Sequence, residues 1–354
     1  MIHRPIQLPR RAFLALAGRL ALVAGCSPRS WAGKANPPEA KTPRMTLLLD
    51  TDIGSDIDDA VALAYLLANP RANLLGITTV TGEAQKRAAL AEYLVGLVPQ
   101  NVPVLAGYEA PQHIASRQPV AQQAVKLNPA VLRALPTTHD PEQAIDFMAN
   151  TIYAHPNEVT LLAVGPFTNV ARLLAREPGI SRLLKEIVIM GGKYSDYPTP
   201  WGPTEWNAIV DPHATHQLFT LAECPVRAFG LDITWQLSMT PDRVRAQFKQ
   251  HPLLETVLAW SEVWFEERDL LHFHDPLAAL CLFEADLCTY AQGTVSVDLS
   301  SPARAGITHF SPASQRPNTM STKPSVSIAT GVNSDLFFER FFQGFQIESR
   351  RQSS

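Results

Sequence analysis

The sequence predicts an α/β fold, a mainly parallel, doubly wound sheet with helices on both faces. Two observations carry this. From residue 45 onward, short apolar or β-branched runs alternate with segments whose apolar residues recur at helical spacing, the order of repeated β-α-β units. The polar clusters fall at the C-terminal ends of the strand-like runs, where open parallel sheets hold their ligands.

The elements follow in order. Residues 46–49 form a short apolar strand that stops at a carboxylate cluster, and 59–67 then present Val61, Leu63, Leu66 and Leu67 as a helical face. Residues 74–80 are β-branched and strand-like, 85–97 helical, and 102–105 a strand. A helix is expected over 143–153, a strand over 159–164, and a helix from Gly165-Pro166 through Leu174. The strand 187–190 runs into a Gly-Gly turn, and a further strand, 226–231, ends at Asp232. Two segments break the alternation. Residues 194–204, rich in Pro, Gly and aromatics, suit a loop shaped around a ligand. Residues 238–268, with Trp260, Trp264 and Phe265 in helical patterns, suit a cap beside the site. The C-terminal part adds strands at 295–297 and 326–328 and a last helix with Ser334 and Asp335 at its N-cap.

Hydrophobic residues make up 46% of the 354, enough for a large core in one domain, and no boundary stands out after residue 45. The formal charge of −3 and the absence of a basic tract interleaved with aromatics argue against a nucleic-acid polymer as partner. Cys26, Cys224, Cys281 and Cys288 lack metal-ligand spacing, and Cys281 and Cys288 read as buried thiols in an apolar helical context.

The N-terminus is set apart from the fold. Arg10-Arg11 followed by Ala-Phe-Leu resembles a twin-arginine export signal, and Val-Ala-Gly-Cys ending at Cys26 resembles a lipoprotein cleavage box. The expected organisation is an export signal over 1–26, a Pro-, Lys- and Ala-rich tether over 27–44, one main folded domain over 45–346 and a tail over 347–354. Export places the protein in the periplasm or cell envelope. Cys26 is then either a lipidated anchor or part of a signal cleaved without lipid. No run after it approaches the roughly 20 apolar residues of a membrane span.

Five carboxylates, Asp50, Asp52, Asp56, Asp58 and Asp59, stand within ten positions between a buried strand and a helix. Neighbouring anions repel by about a kcal/mol or more each at intermediate dielectric, so protonation, a helix N-terminus or a cation must offset them. N-capping explains one or two of the five. All-oxygen ligands with no His or Cys nearby favour a hard ion, Ca²⁺ or Mg²⁺. Downstream, His274-Asp275-Pro276 is either a plain helix start, with Asp275 as the cap, or a second acidic element of the site. Glu205-Trp206-Asn207 is either a surface turn or a polar edge of it.

Together these segments resemble the inosine–uridine-preferring nucleoside hydrolase family. The likeness covers nearly all of 45–345: LLLDTDIGSDIDDAVALAYLL (47–67), GITTVTG (76–82), VPVLAG (102–107), LAVGPFTN (162–169), IVIMGG (187–192), EWN (205–207), GLDIT (230–234) and HDPLA (274–278) follow in the family's order. The resemblance implies a nucleoside-hydrolase-like fold with extra C-terminal helices and strands. It implies calcium-dependent hydrolysis of the N-glycosidic bond of ribonucleosides, with a dimer or tetramer as the assembly. By it, Asp52 is the general base toward a Ca²⁺-bound water, and Asp50, Asp59, Asp275 and the Val164 carbonyl hold the ion. Asp58 takes the ribose 2′-hydroxyl, while Glu205, Asn207 and the Met190 region hold the rest of the sugar. His274 sits near the leaving base as an acid or an orienting group. Such roles suit a bond whose cleavage builds positive charge on the sugar.

The chain also departs from the family pattern. Its Asp loop is two residues longer, which leaves Asp56 without an assigned role. Glu83 replaces a frequent Asn, as a further acceptor for a sugar hydroxyl or a perturber of Asp52. The usual His-Gly pattern after Gly107 is missing, so Trp201, Trp206, Trp235 and His272 are candidates for stacking on the base, or packing residues. Two rival functions stay in view: an Asp-nucleophile phosphatase using Mg²⁺, and a non-catalytic envelope binder of ribosides or polyols.

Overall fold

In the computed structural model, which describes residues 44–315 and 326–352, strand and helix alternate through one nine-stranded sheet. The expected export signal, Cys26 and the tether up to residue 43 lie outside the described residues. The first half contains β1 (Met45–Thr51), α1 (Asp58–Ala68), β2 (Ala72–Thr79), α2 (Ala84–Val95), β3 (Val104–Ala106), α3 (Pro129–Ala134), α4 (Glu142–Ala154), β4 (Val159–Ala163), α5 (Thr168–Arg176) and β5 (Glu186–Met190). Next come α6 (Trp206–Val210), α7 (Pro212–Leu221), β6 (Val226–Phe229), α8 (Leu231–Thr234), β7 (Ser238–Met239), α9 (Pro241–Phe248) and α10 (Pro252–Phe265). The chain ends with β8 (Leu271–His272), α11 (His274–Leu280), β9 (Cys288–Val297), β10 (Thr308–Pro312), β11 (Val326–Val332) and α12 (Ser334–Gln352).

The spatial order is β10-β9-β11-β6-β5-β4-β1-β2-β3. From β11 to β3 every neighbouring pair is parallel, and β9 runs antiparallel to both β11 and β10 at one edge. This is the expected doubly wound sheet. The chain leaves β1 toward β2 and β3 on one side and re-enters on the other at β4. The switch point therefore falls between the C-terminal ends of β1 and β4, where such sheets open a ligand crevice.

Side-chain alternation along β1 divides the core. Leu47 and Leu49 pack with α1, α10, α11 and α12, whereas Leu48 packs with α4, α5 and α7 on the opposite face. Every residue of α1 is buried, which demands its nearly uninterrupted apolar sequence. Phe341 and Phe345 of α12 close over Tyr65 of α1, with ring centroids 5.3 and 6.1 Å apart.

Several local expectations are corrected. The strand at 226 ends at Phe229, because the Gly230 carbonyl accepts from the N–H groups of Ile233 and Thr234 and turns the chain into α8. Asn333, not Ser334, caps α12, its Oδ1 accepting from Leu336 N at 3.1 Å. Helices α3 and α7 occupy segments read without structure, yet Asn128-Pro129 and Asp211-Pro212 are cap-plus-proline starts visible in the sequence. The segment 238–268 does stand beside the site, with Trp264 and Arg268 lining its cavity, but it is anchored, since α10 buries Leu253, Leu254, Val257 and Trp260 in the core beside α1. Cys281 and Cys288 are, as expected, buried free thiols, with their Sγ atoms 3.7 Å apart.

Candidate active site

A cavity of about 620 Å³ opens at the switch point, a size suited to a small molecule. All of the sequence-predicted site residues line it except Asp50 and Glu83.

Asp58 and Asp59, in the first turn of α1, meet Asp275, in the first turn of α11. Their ligand oxygens all lie within 4.8 Å of one another, and all three side chains are buried. Asp58 and Asp59 are aimed by backbone and hydroxyl contacts. Asp275 N donates to Asp58 Oδ2 at 3.0 Å, and Asp59 Oδ1 accepts from Asp52 N at 3.1 Å and from the Thr51 hydroxyl. Burial, then mutual repulsion, pushes all three carboxyls well above the usual range. The α1 N-terminus offsets part of this repulsion. Three buried carboxylates crowded together fit a hard divalent cation. The Val164 carbonyl, which follows β4 and lines the same cavity, accepts from Asn207 Nδ2 at 2.6 Å and keeps a second lone pair free.

Asp50 is placed differently from the expectation. Strand alternation puts it with Leu48 on the face opposite α1, so it stays out of the three-carboxylate group. Its Oδ1 accepts from Thr78 Oγ1 at 2.6 Å and Asn169 Nδ2 at 2.7 Å, while Oδ2 has no hydrogen-bond partner. Burial raises its pKa to about 7. Glu83 is likewise corrected: its carboxylate accepts from Lys86 Nζ at 2.5 Å and Ala121 N at 2.9 Å, away from the cavity. It fastens the loop that carries Ala121.

Asp52 lies at the end of β1, 5% exposed, facing the cavity. Burial raises its pKa, opposed by the charge of Arg87 and a hydrogen bond from Gln118. Sequence reasoning missed both partners. Arg87, fully buried on α2, donates to the carbonyls of Asp52, Ile53, Gly82 and Val120 and so ties three loops together. Its only sequence signal is its phase: at helical spacing it shares the buried face of α2 with Leu90, Ala91 and Leu94. Gly165 is required beside them, since a Cβ there would come 2.8 Å from Asp52 N and 2.9 Å from Asp52 Oδ1.

Glu205 caps α6, accepting from the N–H groups of Gly192, Asn207 and Ala208 at 2.8, 2.8 and 2.9 Å. Burial raises its pKa to about 7 against those bonds. Asn207 donates to the Val164 and Met190 carbonyls and keeps its side-chain oxygen free of those two bonds. His274 Nδ1 pairs with Thr234 Oγ1 at 2.7 Å, and burial beside His272 lowers its pKa to about 3. Trp235 stacks on His272 with centroids 3.9 Å apart, and His272 on His274 at 5.3 Å, so three near-parallel rings form one wall. Trp201 and Trp206, 54% and 45% exposed, line the cavity mouth and are not core packing. The extra Asp56 lines the cavity too, with its Oδ1 accepting from Ile57 N at 2.6 Å.

A parallel-sheet crevice with an ionisable carboxylate, a carboxylate seat for a cation and an aromatic wall is the site of a hydrolase acting on a polar, ring-bearing small molecule. The comparisons with known proteins give this class its family. The model of the inosine-uridine preferring nucleoside hydrolases matches residues 47–339, and the chain belongs to that family. The enzyme of that name from Leishmania major is 30% identical over 297 residues, 80% of this chain and 92% of the relative. The one from Crithidia fasciculata is 28% identical over 312 residues, 84% and 94% of the two chains. A plant nucleoside hydrolase of known structure has a TM-score of 0.71 at 23% identity, covering 86% of this chain and 99% of its own, which supports the fold. The protein is accordingly a hydrolase of N-glycosyl compounds with nucleosides as its substrate class, in a metal-dependent family.

Proposed function

We propose that the protein hydrolyses ribonucleosides to free base and ribose with Ca²⁺ as its ion. The observation that carries the reading is the convergence of Asp58, Asp59 and Asp275 within 4.8 Å, in the cavity that Asp52 faces. In this reading Asp59, Asp275 and the Val164 carbonyl would hold the ion, and Asp58 would accept the ribose 2′-hydroxyl. When bound, the ion supplies Lewis acidity that neutralises the cluster and acidifies water. A site of carboxylates, a carbonyl and sugar hydroxyls suits the larger, more flexible Ca²⁺ shell better than Mg²⁺.

Asp52 takes the proton of the attacking water, and the charge of Arg87 with the hydrogen bond from Gln118 favours its ionised form for that task. Positive charge developing on the sugar is stabilised by the surrounding carboxylates. Glu205 and Asn207 border the remaining sugar edge, next to the Met190 carbonyl. His274, neutral at pH 7, offers Nε2 to the leaving base while Nδ1 stays with Thr234. The Trp235–His272–His274 wall and Trp206 enclose the base. The Arg10-Arg11 and Cys26 motifs support an envelope location for this activity.

A reducing-sugar assay over a ribonucleoside panel tests the reading. Ribose release that chelator abolishes and Ca²⁺ restores better than Mg²⁺ is expected. Asp52→Asn should lower kcat by about 10²- to 10⁴-fold. Binding of nucleosides without ribose release would instead establish a non-catalytic binder.

A further inference from the structure

Gln118 lies in the connection between β3 and α3, outside every segment that carries the family resemblance. Its side chain is buried, 6% exposed, and both ends of its amide are engaged. Nε2 donates to Asp52 Oδ2 at 2.5 Å, and Oε1 accepts the indole N–H of Trp206. The sense of this amide is dictated. An indole donates and cannot accept, so Oε1 must face Trp206 and the NH₂ group must face Asp52. A donor is therefore always presented to the carboxylate.

The backbone around Gln118 is fixed from two sides. Val120 O accepts from Arg87 Nη2 at 3.0 Å and from Ser55 Oγ at 3.1 Å, and Ala121 N donates to Glu83. Gln123 N donates to Gly54 O at 3.0 Å, and its side chain to Ser55 O at 2.7 Å. The extended Asp loop and the altered loop after Gly107 are thus bonded to each other. All three departures from the family pattern, the Asp loop, Glu83 and the loop after Gly107, meet at this contact.

We propose that Gln118 is a positioning residue for the reaction, oriented by Trp206, which holds Asp52 Oδ2 and leaves Oδ1, the oxygen beside Gly165, to take the proton. This rests on Asp52 being the base. Because Trp206 also lines the cavity, a base packed on its ring steadies the indole, and with it the amide and the carboxylate. The occupied leaving-group site and the proton acceptor are coupled through one side chain.

Kinetics of Gln118→Met, Gln118→Glu and Trp206→Phe, alone and with Asp52→Asn, test the proposal. Gln118→Met keeps the shape and loses the amide; its kcat should fall about 10- to 100-fold, the cost of a misplaced catalytic group, with KM within about threefold. Gln118→Glu sets a carboxylate against Asp52 and should lose more. Trp206→Phe keeps the ring, frees the amide to flip, and should lower kcat several-fold; adding Gln118→Met to it should cost less than in the parent. In the Asp52→Asn background Gln118→Met should change the residual kcat by less than about twofold, since a residue acting through Asp52 has nothing left to act on. Should Gln118→Met fail to fold, Trp206→Phe, at a half-exposed position, carries the same comparison. Unchanged kcat in the Gln118 variants of an active parent overturns the proposal, as does an equal loss with and without the Asp52 carboxylate. A parent that releases no ribose from any nucleoside overturns the hydrolase reading and this proposal together.

Discussion

Within the loop joining β1 and α1, residues a few positions apart have opposite fates because the backbone conformation changes between them. Asp50 is still in the strand and obeys its two-residue alternation, so it turns toward Thr78 and Asn169. Asp58 and Asp59 are already in the helix and share its first turn. Asp52 sits between these regimes, and its position depends on Arg87, whose guanidinium serves four backbone carbonyls. Removing that cation strands the carbonyls and leaves Asp52 without its nearest opposing charge. Arg87→Met should therefore destabilise the protein by about 3–5 kcal/mol, read as a lowered midpoint in denaturant unfolding. A change below about 1 kcal/mol would show that water replaces the guanidinium.

Among the elements, the wall made by α8 and the β8–α11 junction stacks Trp235, His272 and His274. Burial lowers the His272 pKa to about 4. Between about 6.5 and about 4 the unfolded chain binds a proton that the folded chain refuses, so this group's contribution to stability is complete above 6.5 and declines as pH falls through that window. Across it the parent should lose Tm relative to His272→Phe, which keeps the stack but cannot titrate. The raised carboxylates of the site act in the opposite direction but are common to both proteins and cancel in the difference. An identical profile would remove His272 from the account. Helix α12 acts in another way. Its Phe337, Phe341 and Phe345 are buried against α1 and α11, whose first turns carry the cation seat. Phe341→Ala should cost about 3–5 kcal/mol through the cavity it leaves, measurable in the same unfolding experiment. The element order was legible because apolar periodicity is a local signal. The strand at 226 was overextended because the Gly230 carbonyl starts a helical turn that periodicity does not announce.

For the molecule as a whole, the site depends on closure of the sheet and its helices around one acidic point. Without a cation the folded state holds three crowded carboxylates, which the unfolded chain would separate and hydrate. A divalent cation should therefore raise Tm, with about 2.7 kcal/mol gained at a hundred times Kd, and chelator should lower it. An unmoved Tm in saturating Ca²⁺ would contradict the seat. The sequence by itself determined the parallel doubly wound sheet, the family, and the acidic character of the β1–α1 loop, because periodicity, motif order and residue type are local properties. Only the tertiary structure decided which carboxylates meet. Asp275 joins Asp58 and Asp59 from over 200 residues away because α11 packs beside α1, while Asp50, eight residues from Asp58, is directed to the other face. It also decided that Glu83 fastens a loop and that Gln118 reaches Asp52, since both outcomes depend on contacts between loops that chain distance does not encode.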